Sequence, residues 1–200
     1  MTTFLRFALP VYLLVFFFAA MFWRSYKTWK ETGVNPYKLG NTESAHDYNG
    51  YRFRIVLVVC FIGVAIFSLA PALYPYLAPV EWLEQPILAI LSLGLLTFSL
   101  VWILIAQGQM GESWCIGIDE AVKTSLVESG LFRVSRNPFF LGMRIMLVGF
   151  FLVIPNSATL AIWAVGDVLV QIQVRLEEAY LRESHGNLYA AYCFCVRRWL

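Results

Sequence analysis

The sequence predicts an all-α bundle of about five membrane-crossing helices, closed at one end by a helical C-terminal cap. Three observations lead there. The 200-residue chain is 60% hydrophobic, with a mean hydropathy of +0.66. It holds uncharged runs at Phe7–Trp23, Ile55–Val80 and Gln85–Gly111, and Ile145–Val174 is broken only by Asp167. A helix needs roughly 20 apolar residues to cross a bilayer core, so these runs suffice. Finally, 14 of the 15 lysines and arginines fall on one side of the bundle that these runs define.

Spans are expected over approximately 5–23, 54–76, 86–106, 139–154 and 158–176. The first ends in Trp23-Arg24 without a small-residue cleavage site, so it reads as a retained helix rather than a signal peptide. Residues 24–53 are polar and carry turn signals at Gly33, Asn35-Pro36, Gly40-Asn41 and Asn49-Gly50. They read as a loop, with a short helix extending the first span. Residues 71–86 hold Pro71, Pro75, Pro79 and Pro86 and form the turn region at the opposite end. The fourth span is short. The last continues past the membrane to about Ser184.

Arg24, Lys27, Lys30, Lys38, Arg52 and Arg54 follow the first span. Lys123, Arg133, Arg136 and Arg144 lie between or beside the third and fourth, and Arg175, Arg182, Arg197 and Arg198 follow the fifth. Arg6 alone falls on the other side. By the positive-inside rule the N-terminus is outside and the C-terminal polar blocks are cytoplasmic, in the inner membrane if the source is bacterial. The whole chain, 1–200, reads as a single integral membrane domain. Cys60, Cys115, Cys193 and Cys195 have no metal-ligand spacing, and cytoplasmic placement of the last three argues against disulfides.

Two polar blocks bracket a hydrophobic hairpin hinged at Pro155-Asn156-Ser157. The hairpin returns both to the same side. The first block is Gly130-Leu131-Phe132-Arg133-Val134-Ser135-Arg136-Asn137-Pro138-Phe139-Phe140-Leu141-Gly142. Pro138 suits the first turn of a helix and biases Asn137 away from helical dihedrals, with Asn137 as the expected N-cap. The free amides of such a start suit an anionic or polar group. A capped helix whose arginine meets lipid headgroups is the plainer reading.

The second block begins at Glu177-Glu178. Carboxylates on a helix extension are commonly solvated, yet Asp167, Gln171, Val174 and Glu178 recur at helical spacing near one face. Asp167 inside a span is either a buried hydrogen-bonding group or part of a cavity wall. Farther on, Tyr189, Tyr192 and Trp199 read either as an interfacial belt or as the walls of a pocket. Arg198 is suited to a lipid phosphate or a substrate carboxylate. A third cytoplasmic piece is Gln107–Trp114 followed by Ile118-Asp119-Glu120.

Taken in order, these blocks resemble the isoprenylcysteine carboxyl methyltransferase and phospholipid methyltransferase superfamily. Gly130, Phe132, Arg136, Pro138, Gly142, Glu177, Glu178, Leu181, Gly186, Tyr189, Tyr192, Val196 and Arg198 match its pattern in sequence, over about 107–200. Asn137 stands where that pattern has histidine, and Phe140 where it has tyrosine. Cys115 replaces the arginine expected after Trp114.

The resemblance implies S-adenosylmethionine as cofactor, entering from the cytoplasm, and a lipid-like or prenylated substrate from the bilayer. It implies a pocket shaped by Gly130, Leu131, Phe132, Arg136, Asn137, Pro138, Phe140 and Leu141. Glu177 and Glu178 would meet the cofactor's cationic groups, with Tyr189 and Tyr192 closing the pocket. No metal is implied. A carboxylate acceptor needs an orienting cation, for which Arg198 is the candidate and Arg197 the second. An amine acceptor needs a base, for which Glu178 is the candidate. Met110-Gly111-x-Ser113-Trp114 is closest to the isoprenylcysteine carboxyl O-methyltransferases. A phospholipid or small-amine N-methyltransferase is the alternative. An NADPH-dependent sterol reductase would need a larger bundle, and a non-catalytic membrane scaffold is the reading of another class.

Overall fold

The computed structural model describes residues 1–33, 44–114 and 125–200. These form seven α-helices and no strand. The expected features at Asn35-Pro36, Lys38, Gly40-Asn41, Cys115, Ile118-Asp119-Glu120 and Lys123 lie outside the described residues.

The first rod is longer than the apolar run predicts. Helix α1 (Thr2–Phe16), a π-helical stretch (Phe17–Trp23) and α2 (Arg24–Thr32) follow without a break. A π turn leaves backbone carbonyls out of the usual ladder. Within this stretch, Ala20 O accepts a bond from the buried Gln107 Nε2 at 2.8 Å. Gly33, with φ of 70°, ends the rod.

Helix α3 (Ala45–Leu69) corrects the expected 54–76 span at both ends. Ser44 Oγ caps it by accepting the Asp47 N–H at 3.1 Å. Its polar first turns are helical because they have a partner inside the protein. Asn49 Nδ2 donates to Leu169 O at 3.2 Å and to Gln173 Oε1 at 2.9 Å. The helix stops before Pro71, and Pro71–Leu77 is a 3₁₀ segment. Of the expected 24–53 loop, Arg24–Thr32 and residues 45–53 are therefore helix.

Helix α4 (Pro86–Met110) begins with proline in its first turn, as does α5 (Pro138–Val153). Helix α6 (Ser157–His185) starts with a reciprocal cap: Asn156 Oδ1 accepts the Thr159 N–H, and Thr159 Oγ1 accepts the Asn156 N–H. It runs to within one residue of the end that its sequence predicts. Gly186 separates it from α7 (Asn187–Cys195).

Among the described residues, four rods are long and apolar enough to cross a bilayer: Thr2–Thr32, Ala45–Leu69, Pro86–Met110 and Ser157–His185. The chain is an integral membrane protein. Helix α5 has 16 residues, about 24 Å at the α-helical rise, and falls short of a full crossing. The 71–86 turn region laces the hinge, with Val80 N–H donating to Pro155 O at 2.9 Å and Ser157 N–H to Ala78 O at 3.3 Å.

Side chains of α1, α3, α4 and α5 share one core around Leu9, Phe67, Leu96 and Phe150. Helices α4 and α5 approach closely at Gly142, where an added Cβ would sit 2.5 Å from Ile103 Cγ1. At the opposite end from the hinge the fold gathers the start of α5, the end of α4, the polar extension of α6 and the tail. This is the cap. Gly142→Ala is expected to destabilise by roughly 1–3 kcal/mol through overpacking. Gly108 has open space around it, so Gly108→Ala should stabilise by roughly 0.5–1 kcal/mol. Thermal unfolding in detergent should show shifts of opposite sign.

Candidate functional site

Glu178 sits at the centre of the cap with 5% of its surface exposed. The apolar part of α6 ends at Val174, so Glu178 lies on the polar extension one turn beyond it. Its carboxylate meets two guanidiniums and an amide. Arg198 forks onto it, with Nη2 to Oε2 at 2.8 Å and Nε to both oxygens at 3.1 Å. Arg136 Nη2 donates to Oε1 at 3.3 Å and Asn137 Nδ2 to the same oxygen at 2.9 Å. Burial alone would raise this carboxyl's pKa. The bonds from Arg198 and Asn137 and the charges of Arg136 and Arg198 outweigh it and hold the pKa below its ordinary value. The bond to Glu178 likewise raises the Arg198 pKa.

The same residues stitch the tail to the start of α5. Arg136 N–H donates to Arg197 O at 2.9 Å, and its Nη1 bonds Val196 O at 3.0 Å and Cys193 O at 3.2 Å. Ser135 Oγ donates to Arg198 O at 3.1 Å. Asn137 occupies the N-cap position of α5 but makes no side-chain cap. Its amide is spent on Glu178 and, at 3.3 Å, on Arg198 O. The expected cap is thus corrected: the Asn137 side chain is turned to donate its Nδ2–H to the buried carboxylate rather than to accept from the helix amides.

The rest of the first block is placed by its neighbours. Gly130 has φ of 62°, and a Cβ there would run into the Gln109 side chain. That close approach lets Leu131 N–H reach Gln109 Oε1 at 2.7 Å. Phe132 is buried, and its carbonyl accepts the Tyr192 hydroxyl at 2.6 Å. Pro138 is buried, and its carbonyl accepts Trp102 Nε1–H at 2.8 Å. Phe140 and Leu141 are buried as well. Phe140 packs with Val170 and Val174 of α6 and with Trp199. Tyr189 and Tyr192 are interior groups, 1% and 7% exposed, rather than an interfacial belt. The Tyr189 hydroxyl is enclosed and has no hydrogen-bond partner among the described residues. Its pKa is raised, first by burial and then by the Glu178 charge.

Glu177, one residue earlier, faces a different neighbourhood. It is half-buried and accepts a bond from Gln173 Nε2 at 3.1 Å. Gln173 is oriented by Asn49, and His46 Nδ1 lies 3.4 Å from the same Gln173 nitrogen. No cation is paired with Glu177 among the described residues. Desolvation pushes its pKa up to about 7, against the opposing bond from Gln173. Sequence reasoning missed Asn49, His46 and Gln173, whose only signal is polarity on helices otherwise read as span or loop.

Asp167 is both a hydrogen-bonding group and a wall. It pairs with Arg144 Nε at 2.6 Å and accepts Gln171 Nε2 at 2.6 Å. Asp167 and Arg144 line a groove of about 490 Å³ whose other walls include Leu95, Val148, Leu160 and Trp163. Arg144 also lies over the Trp199 ring at 4.6 Å, next in sequence to Arg198. The groove thus ends against the cap.

Removing the central charge should release the tail. Glu178→Ala leaves Arg136 and Arg198 facing each other and is expected to cost on the order of 3 kcal/mol. Hydrogen exchange across 187–200 should accelerate, while the hinge at 155–159 should stay protected.

Comparison with known proteins follows the same geography. No curated protein matches the chain significantly. The family model described as phospholipid methyltransferase matches residues 84–187, just over half of the chain. The matched segment contains α4, the Arg136-Asn137-Pro138 block, the hairpin and Glu177-Glu178. On this match, the ordered motifs and the membrane bundle, the chain belongs to the phospholipid methyltransferase family.

Proposed function

We propose that the protein transfers a methyl group from S-adenosylmethionine to a lipid-like acceptor at the cytoplasmic boundary of the membrane, and that the acceptor is an amine. The observation that carries this reading is the division between the adjacent carboxylates. Glu178 is saturated by Arg198, Arg136 and Asn137. Among the described residues Glu177 has one bond, to Oε1, and no paired cation.

Two features fit the cofactor. An uncompensated, half-buried carboxylate suits a cationic group, and the enclosed Tyr189 hydroxyl has a bond to give. Glu177 and Tyr189 would hold the polar groups, with Gly130–Leu141 and Tyr192 shaping the pocket. When bound, S-adenosylmethionine supplies a methyl group made electrophilic by its sulfonium. The chain's part is alignment and exclusion of water, which are the main requirements of an in-line displacement. A lipid chain in the groove beside Arg144 would bring a headgroup to the cap from the bilayer side. Glu177 Oε2 is the place for the proton that an ammonium acceptor must lose, since its pKa lies near neutrality. Asn137 and Phe140 have no part in proton transfer.

This ordering revises the preference for O-methylation of a prenylated cysteine. A carboxylate acceptor needs a free cation, and Arg198 is committed to Glu178. O-methylation remains the second reading, favoured by Met110-Gly111-x-Ser113-Trp114, with exposed Arg197 in place of Arg198.

Purified protein titrated with S-adenosylmethionine, S-adenosylhomocysteine and NADPH tests the class of activity. Both adenosyl ligands should bind and NADPH should not. Failure of both with folded protein overturns the proposal, and binding without turnover on any acceptor would identify a scaffold. Labelled methyl transfer should favour phosphatidylethanolamine over prenylcysteine analogues. S-adenosylmethionine affinity should fall as pH drops from 8 to 6, because Glu177 protonates near pH 7. Glu177→Gln should bind more weakly and without that pH dependence. Folding raises this pKa from 4.5 to about 7, so stability is lost as pH rises through that window. Glu177→Gln should remove that loss too.

A further inference from the structure

Among the described residues Arg6 is the lone basic residue at the end of the bundle away from the cap, and the proposed reaction leaves it unused. It is half-buried in α1 and lines a pocket of about 270 Å³. Leu5, Phe67, Ala89 and Val153 supply the pocket's apolar wall. Tyr74 and Glu84 supply the polar one, with the Tyr74 hydroxyl donating to Glu84 Oε1 at 3.0 Å.

Arg6 Nε is shielded from solvent and has no hydrogen-bond partner among the described residues. Arg6 and Glu84 border the same pocket without forming an ion pair. An arginine near a helix end ordinarily extends its head to water or lipid phosphate. Here part of the guanidinium is enclosed instead, at a desolvation cost that a bound anion would offset. The neighbouring start of α4 has no side-chain cap at Gln85, which adds positive character to the same end. Glu84 disfavours a ligand of net negative charge, and Arg6 disfavours a purely cationic one.

We propose that this pocket binds the headgroup of a zwitterionic phospholipid from the leaflet opposite the cap, its phosphate on Arg6 and its ammonium toward Glu84. The apolar wall takes the upper part of an acyl chain. The site is separate from the methyl-transfer cap and stands whether or not that activity is found.

Native mass spectrometry of the detergent-purified full chain tests it, with phosphatidylethanolamine, phosphatidylglycerol and diacylglycerol as probes. Phosphatidylethanolamine should be retained several-fold better than either of the others. Arg6→Gln should weaken its retention roughly tenfold, the scale of one charge-assisted phosphate contact. Glu84→Gln, on an exposed side chain, should keep the fold and shift preference toward phosphatidylglycerol. Arg52→Gln, at the cap end, should change nothing. Equal retention by wild type and Arg6→Gln, or an unchanged preference in Glu84→Gln, overturns the proposal. So does full displacement of the lipid by millimolar inorganic phosphate, which would make free phosphate the ligand.

Discussion

A buried carboxylate with two arginines organises this protein. Glu178 is nearly inaccessible, and such a charge survives burial only when its partners are in place. The partners come from far apart in sequence: Arg136 and Asn137 precede the hairpin, and Arg198 nearly ends the chain. The ion cluster therefore closes a loop of some sixty residues. It fixes the tail against the start of α5, and that contact in turn encloses Tyr189 and Tyr192. Without it, α7 would have little to hold it down, since Leu188 and Phe194 on its outer surface are largely exposed.

The cluster also separates two tasks that adjacent acids would be expected to share. Successive helix positions differ by about 100°, so Glu177 and Glu178 meet different neighbours. One carboxylate is held charged by guanidiniums, the other is held by an amide chain running from Asn49 through Gln173. Pairs of acids whose environments push their pKa values apart are a recurrent arrangement where charge and proton must be handled together. Asn49 comes from α3, outside the segment that matches the family, so the N-terminal half of the chain helps to set the character of the site.

Much of the architecture was legible in the sequence because membrane helices are written in long uncharged runs, and because Pro86, Pro138 and Asn156 mark helix starts chemically. The ends were less legible. Polar turns such as 45–53 read as loop, yet they are helical because Asn49 bonds across to α6. The candidate site residues stand in the sequence as an ordered set, but their partners do not. Nothing local in Arg198-Trp199 says that the arginine is tied to Glu178 rather than free for a substrate, nor in Asn137 that its amide turns away from its own helix. Those are long-range pairings, decided by which groups must be compensated once buried.

The π-helical stretch in the first rod has a consequence for how that rod is built. Its buried positions Leu5, Leu9, Leu13, Phe16, Ala20, Arg24 and Thr28 recur mostly every four residues. On a strict α-helix, a step of four overshoots one turn by about 40°, so such a row would wind away from its neighbours. A wider turn between Phe17 and Trp23 takes up that overshoot. The rod keeps one side against the bundle along its whole length without coiling around it. The same adjustment brings Arg24 to the end of α4, where its Nη2 reaches the Gly111 carbonyl at 2.6 Å. A local irregularity in winding thus sets the phase at which the first helix meets the cap.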